Sequence, residues 1–216
     1  MSSFTLDYII RKSSLQSNAP LLIMLHGYGS DENDLFSFAS ELPEELYIIS
    51  AKAPYPMHPF GNAWYAINFD AEKGKWSDNE QAMQSRDKIA TFIEEAIANY
   101  PVNKENVTLL GFSQGTILSY AVALTYPNLI KNVVALSGYI NTKIVPEEIN
   151  TSDLSHLSIY CSHGTVDQVI PVEWARKSPE LLSNLGIEYK YSEFPVGHGV
   201  APQNFYEFKA WLESRI

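Results

Sequence analysis

The stretch Val107-Thr108-Leu109-Leu110-Gly111-Phe112-Ser113-Gln114-Gly115-Thr116-Ile117-Leu118 decides how this chain is read. An apolar run of strand character ends at Gly111, Ser113 stands midway between Gly111 and Gly115, and a run of helix character follows at once. A serine on such a strand-to-helix turn is held in a strained conformation with its hydroxyl presented outward. The flanking glycines leave room where a Cβ would strike a neighbouring strand or helix. The pattern is a nucleophile elbow. Two glycines placed this way around a serine arise by chance in roughly one chain of this length in fifteen, so the elbow needs partners.

Outward from it, short apolar runs of strand type recur at Thr5 to Ile10, Leu21 to His26, Tyr47 to Ala51, Val107 to Gly111, Val133 to Ser137, Ile159 to Ser162 and Glu188 to Phe194. Runs of this kind suit strands buried on both faces. Amphipathic helical patterns fill the gaps at Asp31 to Glu41, Asn79 to Asn99, Gln114 to Tyr126, Val172 to Leu185 and Pro202 to Ser214, with Asp78 as a cap and Pro202 in a first turn. The alternation predicts an α/β fold: a mostly parallel central sheet, helices on both faces, and ligands at the carboxyl ends of the strands. One stretch breaks the rhythm. Pro54 to Trp76 carries three prolines and two glycines among its aromatics, and reads as an irregular lid or pocket loop.

A chain of 216 residues, 45% of them hydrophobic, suits a single domain over residues 1–216 with one core. Its formal charge of −10 disfavours nucleic acid and anionic bilayers. No apolar run is long enough for stable membrane insertion, and residues 1–14 lack a signal-peptide core. One cysteine, Cys161, allows no internal disulfide. Together these read as a cytoplasmic protein.

A serine hydroxyl needs a base to take its proton, and the base needs a third group to fix its tautomer. On α/β sheets with an elbow the chain order is serine, acid, histidine. Asp167 follows the run Ile159 to Ser162 in a loop, and His198 stands between Gly197 and Gly199 after the run ending at Phe194. Asp167 is thus the expected acid and His198 the expected base. The oxyanion of the reaction needs waiting donors, for which the backbone N–H groups of Gln114 and Tyr28 are placed by the elbow and by the turn Leu25-His26-Gly27-Tyr28-Gly29.

His-Gly-Tyr-Gly-Ser-Asp-Glu-Asn-Asp from His26, Gly-Phe-Ser-Gln-Gly from Gly111, His-Gly-Thr-Val-Asp from His163 and Gly-His-Gly from Gly197 together resemble the phospholipase/carboxylesterase family. That family includes bacterial carboxylesterases and acyl-protein thioesterases, and the likeness runs from about Leu21 onward. It implies the α/β-hydrolase fold and an acyl-enzyme mechanism on carboxylic esters, thioesters or lysophospholipids. Ser113, Asp167 and His198 match the family triad, and Tyr28 and Gln114 its oxyanion donors. A small-molecule ester substrate is implied, and a homodimer is raised because family members often pair. Two positions depart from the family pattern: Ala66 follows Trp64-Tyr65 where an aspartate is common, and Thr116 replaces a Gly or Ala after the elbow.

Other residues have plainer readings. His26 and His163 each precede a glycine at a strand end and are read as braces for the oxyanion and acid loops. Cys161, mid-strand, is read as core. No His, Cys, Asp or Glu spacing suits a metal, and neither metal nor cofactor is expected. Phe60, Trp64, Tyr65, Phe69 and Trp76 are expected to form an apolar substrate pocket. The competing functions are a peptidase, a dienelactone-type hydrolase, whose nucleophile would be cysteine, and a non-catalytic small-molecule receptor on the same fold.

Overall fold

The computed structural model describes residues 4–70 and 74–216. Seven strands form the main sheet: β1 (Tyr8–Arg11), β2 (Ala19–Leu25), β3 (Tyr47–Ala51), β8 (Val102–Phe112), β9 (Asn132–Leu136), β10 (Ser158–Gly164) and β11 (Glu188–Phe194), in the order β1-β3-β2-β8-β9-β10-β11. Only β1 is antiparallel to its neighbour; the other pairings are parallel.

Strand alternation sorts the core into two layers, because successive side chains leave a strand on opposite faces. Leu21, Ile23 and Leu25 of β2 join one cluster with Phe92 and Ile93 of α1 (Asn79–Asn99) and Ile117 to Leu124 of α2 (Gln114–Thr125). Leu22 and Met24 face the other cluster, with Tyr160 of β10 and Phe208, Trp211 and Leu212 of α5 (Pro202–Glu213). The expected capping holds: the Asp78 carboxylate accepts the Gln81 N–H at 3.0 Å, and Pro202 stands in the first turn of α5.

Three expectations are corrected. The first strand begins at Tyr8 rather than Thr5, because the Thr5 N–H and hydroxyl both donate to the Glu95 carboxylate and draw the chain toward α1. The helix over Asp31 to Glu41 is a 3-10 helix confined to Leu35–Glu41. In Ser-Asp-Glu-Asn-Asp the side chains take up local partners, with the Asn33 N–H on Asp31 and the Ser30 hydroxyl on Asp34, in competition with an α-helical start. The helix over Val172 to Leu185 divides into α3 (Val172–Ala175) and α4 (Lys177–Asn184), since Pro179 has no N–H for the Ala175 carbonyl and its ring crowds it. Within Pro54 to Trp76 lie two short strand pairs, β4 (Tyr55–Pro56) with β5 (Asn62–Ala63) and β6 (Ile67–Asp70) with β7 (Gly74–Ser77), and the described residues between β4 and β5 and between β5 and β6 have no regular structure.

The start of α2 lies directly on β2. A Cβ built on Gly115 would stand 1.9 Å from the Leu25 carbonyl oxygen, and one on Gly111 would stand 2.5 Å from the Gly115 carbonyl oxygen. Gly115→Ala is therefore expected to destabilise the fold by about 3 kcal/mol, a fall in Tm of about 6 to 12 °C for a chain of this size. Thermal unfolding followed by circular dichroism checks this, and an unchanged Tm would show that the helix has slack at this contact.

Candidate active site

Ser113 joins β8 to α2 with φ 54° and ψ −113°, a region that non-glycine residues rarely occupy. The surroundings enforce it. Its N–H donates to the Leu136 carbonyl at 2.9 Å, and its own carbonyl accepts the Ile117 N–H at 3.1 Å. The Thr116 hydroxyl, fully buried, lies 2.6 Å from both the Gly111 and the Leu136 carbonyl oxygens, so its single proton ties the elbow to β9.

His198, in the loop between β11 and α5, reaches both partners expected for it. Its Nδ1 is 2.7 Å from Asp167 Oδ2, and its Nε2 is 2.9 Å from Ser113 Oγ. A carboxylate accepts only, so Nδ1 carries the proton and Nε2 is left to receive the serine's. The Phe112 ring packs 5.0 Å from the imidazole. Beneath, a Cβ on Gly164 would meet the Val196 and Gly197 carbonyl oxygens at 2.3 Å, so the end of β10 and the histidine loop run in contact.

Asp167 is buried, yet its carboxylate is well supplied with donors. Oδ1 accepts the Val169 and Ile170 N–H groups at 2.8 and 3.0 Å, while Oδ2 faces His198. Burial pushes its pKa up, but the hydrogen bonds from His198, Ile170 and Val169 outweigh burial and hold it below 3.8. His163 closes this loop: its Nε2–H donates to the Ile170 carbonyl at 2.8 Å and lies 3.3 Å from Asp167 Oδ2.

The turn after β2 lies beside the serine. A Cβ on Gly27 would come within 3.1 Å of the Phe112 ring and 3.5 Å of Ser113 Cβ. His26 is fully buried, with Nδ1 donating to the Gly27 carbonyl at 2.7 Å and Nε2 accepting the Ala53 N–H at 3.1 Å. Burial lowers its pKa, which fits a neutral ring with one donor and one acceptor nitrogen. Because a trans peptide is planar, fixing the Gly27 carbonyl also fixes the Tyr28 N–H on the opposite side of the same plane. Among the described residues, neither the Tyr28 nor the Gln114 N–H has an acceptor; for Gln114 this follows from its place at the head of α2.

The aromatics expected to line a pocket differ in exposure. Trp64 and Tyr65 are closed off from solvent, whereas Phe60 is 81% and Trp76 43% exposed. Phe69 is placed in β6 by its backbone, and its side chain lies outside what the structure describes. Trp64 directs its indole N–H to the His26 carbonyl at 2.9 Å. Cys161 is core, as expected: it is buried in β10, and burial pushes its thiol pKa up to about 12. Two working parts escape sequence reasoning: the tie made by Thr116, and the Gln114 side chain, whose amide bonds the backbone of residues 64 and 65. A polar residue on the first turn of an otherwise apolar helix was the available signal. Among the described residues, no group of three or more His, Cys, Asp or Glu could hold a metal ion.

A hydroxyl, an imidazole and a carboxylate in line, with two free N–H groups on the adjoining loops, can carry acyl transfer. The sheet order and its covering helices define the α/β-hydrolase fold. Consistent with that class, the profile of the phospholipase/carboxylesterase family matches residues 8–216, and the chain belongs to that family. It is a hydrolase. The chain is 24% identical over 156 residues to a probable carboxylesterase of Oryza sativa, a match that covers 71% of this chain and 58% of that protein. It is 25% identical to acyl-protein thioesterase 1 of Yarrowia lipolytica, covering 96% of each. The crystal structure of a carboxylesterase from Mesorhizobium loti superposes with a TM-score of 0.82 over 99% of this chain and 97% of that one, at 21% identity.

Because the Asp167 pKa is depressed on folding, the ionised carboxylate stabilises the native state above 3.8, the value it leaves on folding. That stability is lost as pH falls through 3.8 toward the lower native value. Asp167→Asn should therefore melt below the wild type at neutral pH, with the gap narrowing below about pH 4. Tm measured against pH for both proteins tests this; parallel curves would remove Asp167 from the groups that set acid stability.

Proposed function

We propose that this chain is a serine hydrolase that cleaves carboxylic esters and thioesters through an acyl-enzyme. One observation carries the reading: a single imidazole, His198, bridges Ser113 Oγ at 2.9 Å and a donor-rich, buried Asp167 at 2.7 Å. Ser113 Oγ attacks the acyl carbonyl carbon while its proton passes to His198 Nε2. The imidazolium so formed is stabilised by the Asp167 carboxylate. The carbonyl oxygen takes the negative charge and is received by the Tyr28 and Gln114 N–H groups, each worth about 3 kcal/mol in comparable sites. His198 then gives its proton to the departing alcohol or thiol. Water, deprotonated by the same nitrogen, releases the acid and restores Ser113.

The printed names of the relatives point to two leaving groups, an oxygen in the carboxylesterases and a sulfur in the acyl-protein thioesterases. Both present the same acyl carbon, and the chemistry above serves either. Among the described residues, no helix is long and apolar enough to cross a membrane.

Ser113→Ala should reduce turnover of p-nitrophenyl esters by a factor on the order of 10⁴ or more, with the far-UV circular dichroism unchanged. A fluorophosphonate should label the wild type and spare the variant. Activity of the variant within tenfold of wild type would overturn the assignment, and a wild type that neither turns over esters nor takes the label would favour a receptor.

A further inference from the structure

The two N–H groups read above as oxyanion donors belong to separate pieces of chain. Tyr28 lies on the turn after β2, and Gln114 opens α2. An oxyanion hole works only when both donors are aimed at one point about 3 Å from each, so something must hold the turn and the helix in mutual register. The short strap Asn62 to Tyr65 is bonded to both.

At its first residue the strap grips the turn. The Asn62 N–H donates to the Ser30 carbonyl at 2.7 Å, and the Asn62 carbonyl accepts the Gly29 N–H at 2.9 Å. The Asn62 amide donates to the Ala53 carbonyl at 3.1 Å, and the Ala53 N–H in turn donates to His26. Two residues on, Trp64 holds the turn and the helix at once. Its indole N–H donates to the His26 carbonyl at 2.9 Å, while its backbone N–H donates to Gln114 Oε1 at 2.8 Å. Gln114 Nε2 donates to the Tyr65 carbonyl at 2.8 Å, so the side-chain amide pairs with the strap as a strand residue would. The Ser85 hydroxyl caps the remaining Trp64 carbonyl.

Every one of these groups near Trp64 is buried. Trp64 is 0% and Gln114 3% exposed, so water cannot replace a bond that is lost. None of the bonds touches Asp167 or His198. The strap therefore controls where the two donors point and leaves the proton relay alone.

We propose that Trp64 and the side chain of Gln114 are positioning residues that lock the Tyr28 and Gln114 N–H groups in register, making the Asn62–Tyr65 strap part of the oxyanion machinery rather than a wall of the acyl pocket. This rests on the hydrolase reading and on those two N–H groups as its donors.

Two variants test it in the full-length protein. Trp64→Phe keeps a packed ring and deletes the indole N–H. Gln114→Met keeps the side-chain volume and the backbone N–H, deletes both amide bonds, and carries the test if Trp64→Phe does not fold. For either folded variant, kcat on p-nitrophenyl esters should fall about tenfold to a hundredfold, with KM within twofold of wild type. A trifluoromethyl ketone gives the decisive readout: Ser113 Oγ adds to the ketone carbon, the proton passes to His198, and the ketone oxygen becomes the oxyanion. Its affinity should fall by the same factor as kcat. Variants that keep kcat and ketone affinity within twofold overturn the proposal. So does a KM that rises with acyl-chain length at constant kcat, the signature of a pocket wall. A wild type without esterase activity or fluorophosphonate labelling would instead sink the hydrolase reading itself.

Discussion

The contact between the first turn of α2 and the end of β2 governs the rest of the site. With no Cβ at position 115, the helix closes onto the Leu25 carbonyl at a distance no side chain would permit. That closeness forces the chain to reverse within Ser113, which accounts for its positive φ. It also sets the turn that follows β2 against the serine, where Gly27 has Ser113 Cβ and the Phe112 ring as neighbours. The nucleophile and the first oxyanion loop are thus positioned by one packing event. The strain at Ser113 is carried by its N–H bond to Leu136 and by the Thr116 hydroxyl, both of which fasten the turn to β9.

From that contact outward, Asp167 and His26 are positioned by hydrogen bonds to their polar atoms in a water-poor setting. Asp167 has donors on both oxygens. His26 has one nitrogen giving and one receiving. Such groups would be costly to bury alone, and with partners in place they admit few alternative arrangements. The two apolar layers flanking the sheet supply the rigidity on which this depends, since packed strands and helices hold the loop ends far more tightly than loops hold themselves.

Much of this was legible in the residues, and for a physical reason. Strands buried on both faces announce themselves as apolar runs, and Ser113, Asp167 and His198 each sit just beyond such a run, so their meeting at one sheet edge follows from topology. Local competition was harder to read. The Thr5 contact with Glu95 and the Pro179 break both depend on partners or ring geometry that periodicity does not register. Pro54 to Trp76 was the least legible stretch. Its prolines and glycines hid two hairpins, and its aromatics suggested a pocket although Trp64 and Tyr65 are bonded into the interior through their backbones.

The two departures from the family pattern acquire meaning from the same network. Thr116 introduces a hydroxyl where a smaller residue is usual, and that hydroxyl is absorbed by the Gly111 carbonyl and by the Leu136 carbonyl that also accepts the Ser113 N–H. Ala66 stands where an acidic side chain is common, yet its contacts here are made by its backbone: its N–H reaches Gln81 and its carbonyl accepts the Asp78 N–H at the start of α1. An aspartate at this place would bring a second carboxylate beside Asp78, whose own carboxylate already caps that helix. With alanine here, the main chain of Trp64 and Ala66 is anchored to α1 through the Ser85 hydroxyl, the Gln81 amide oxygen and the Asp78 N–H.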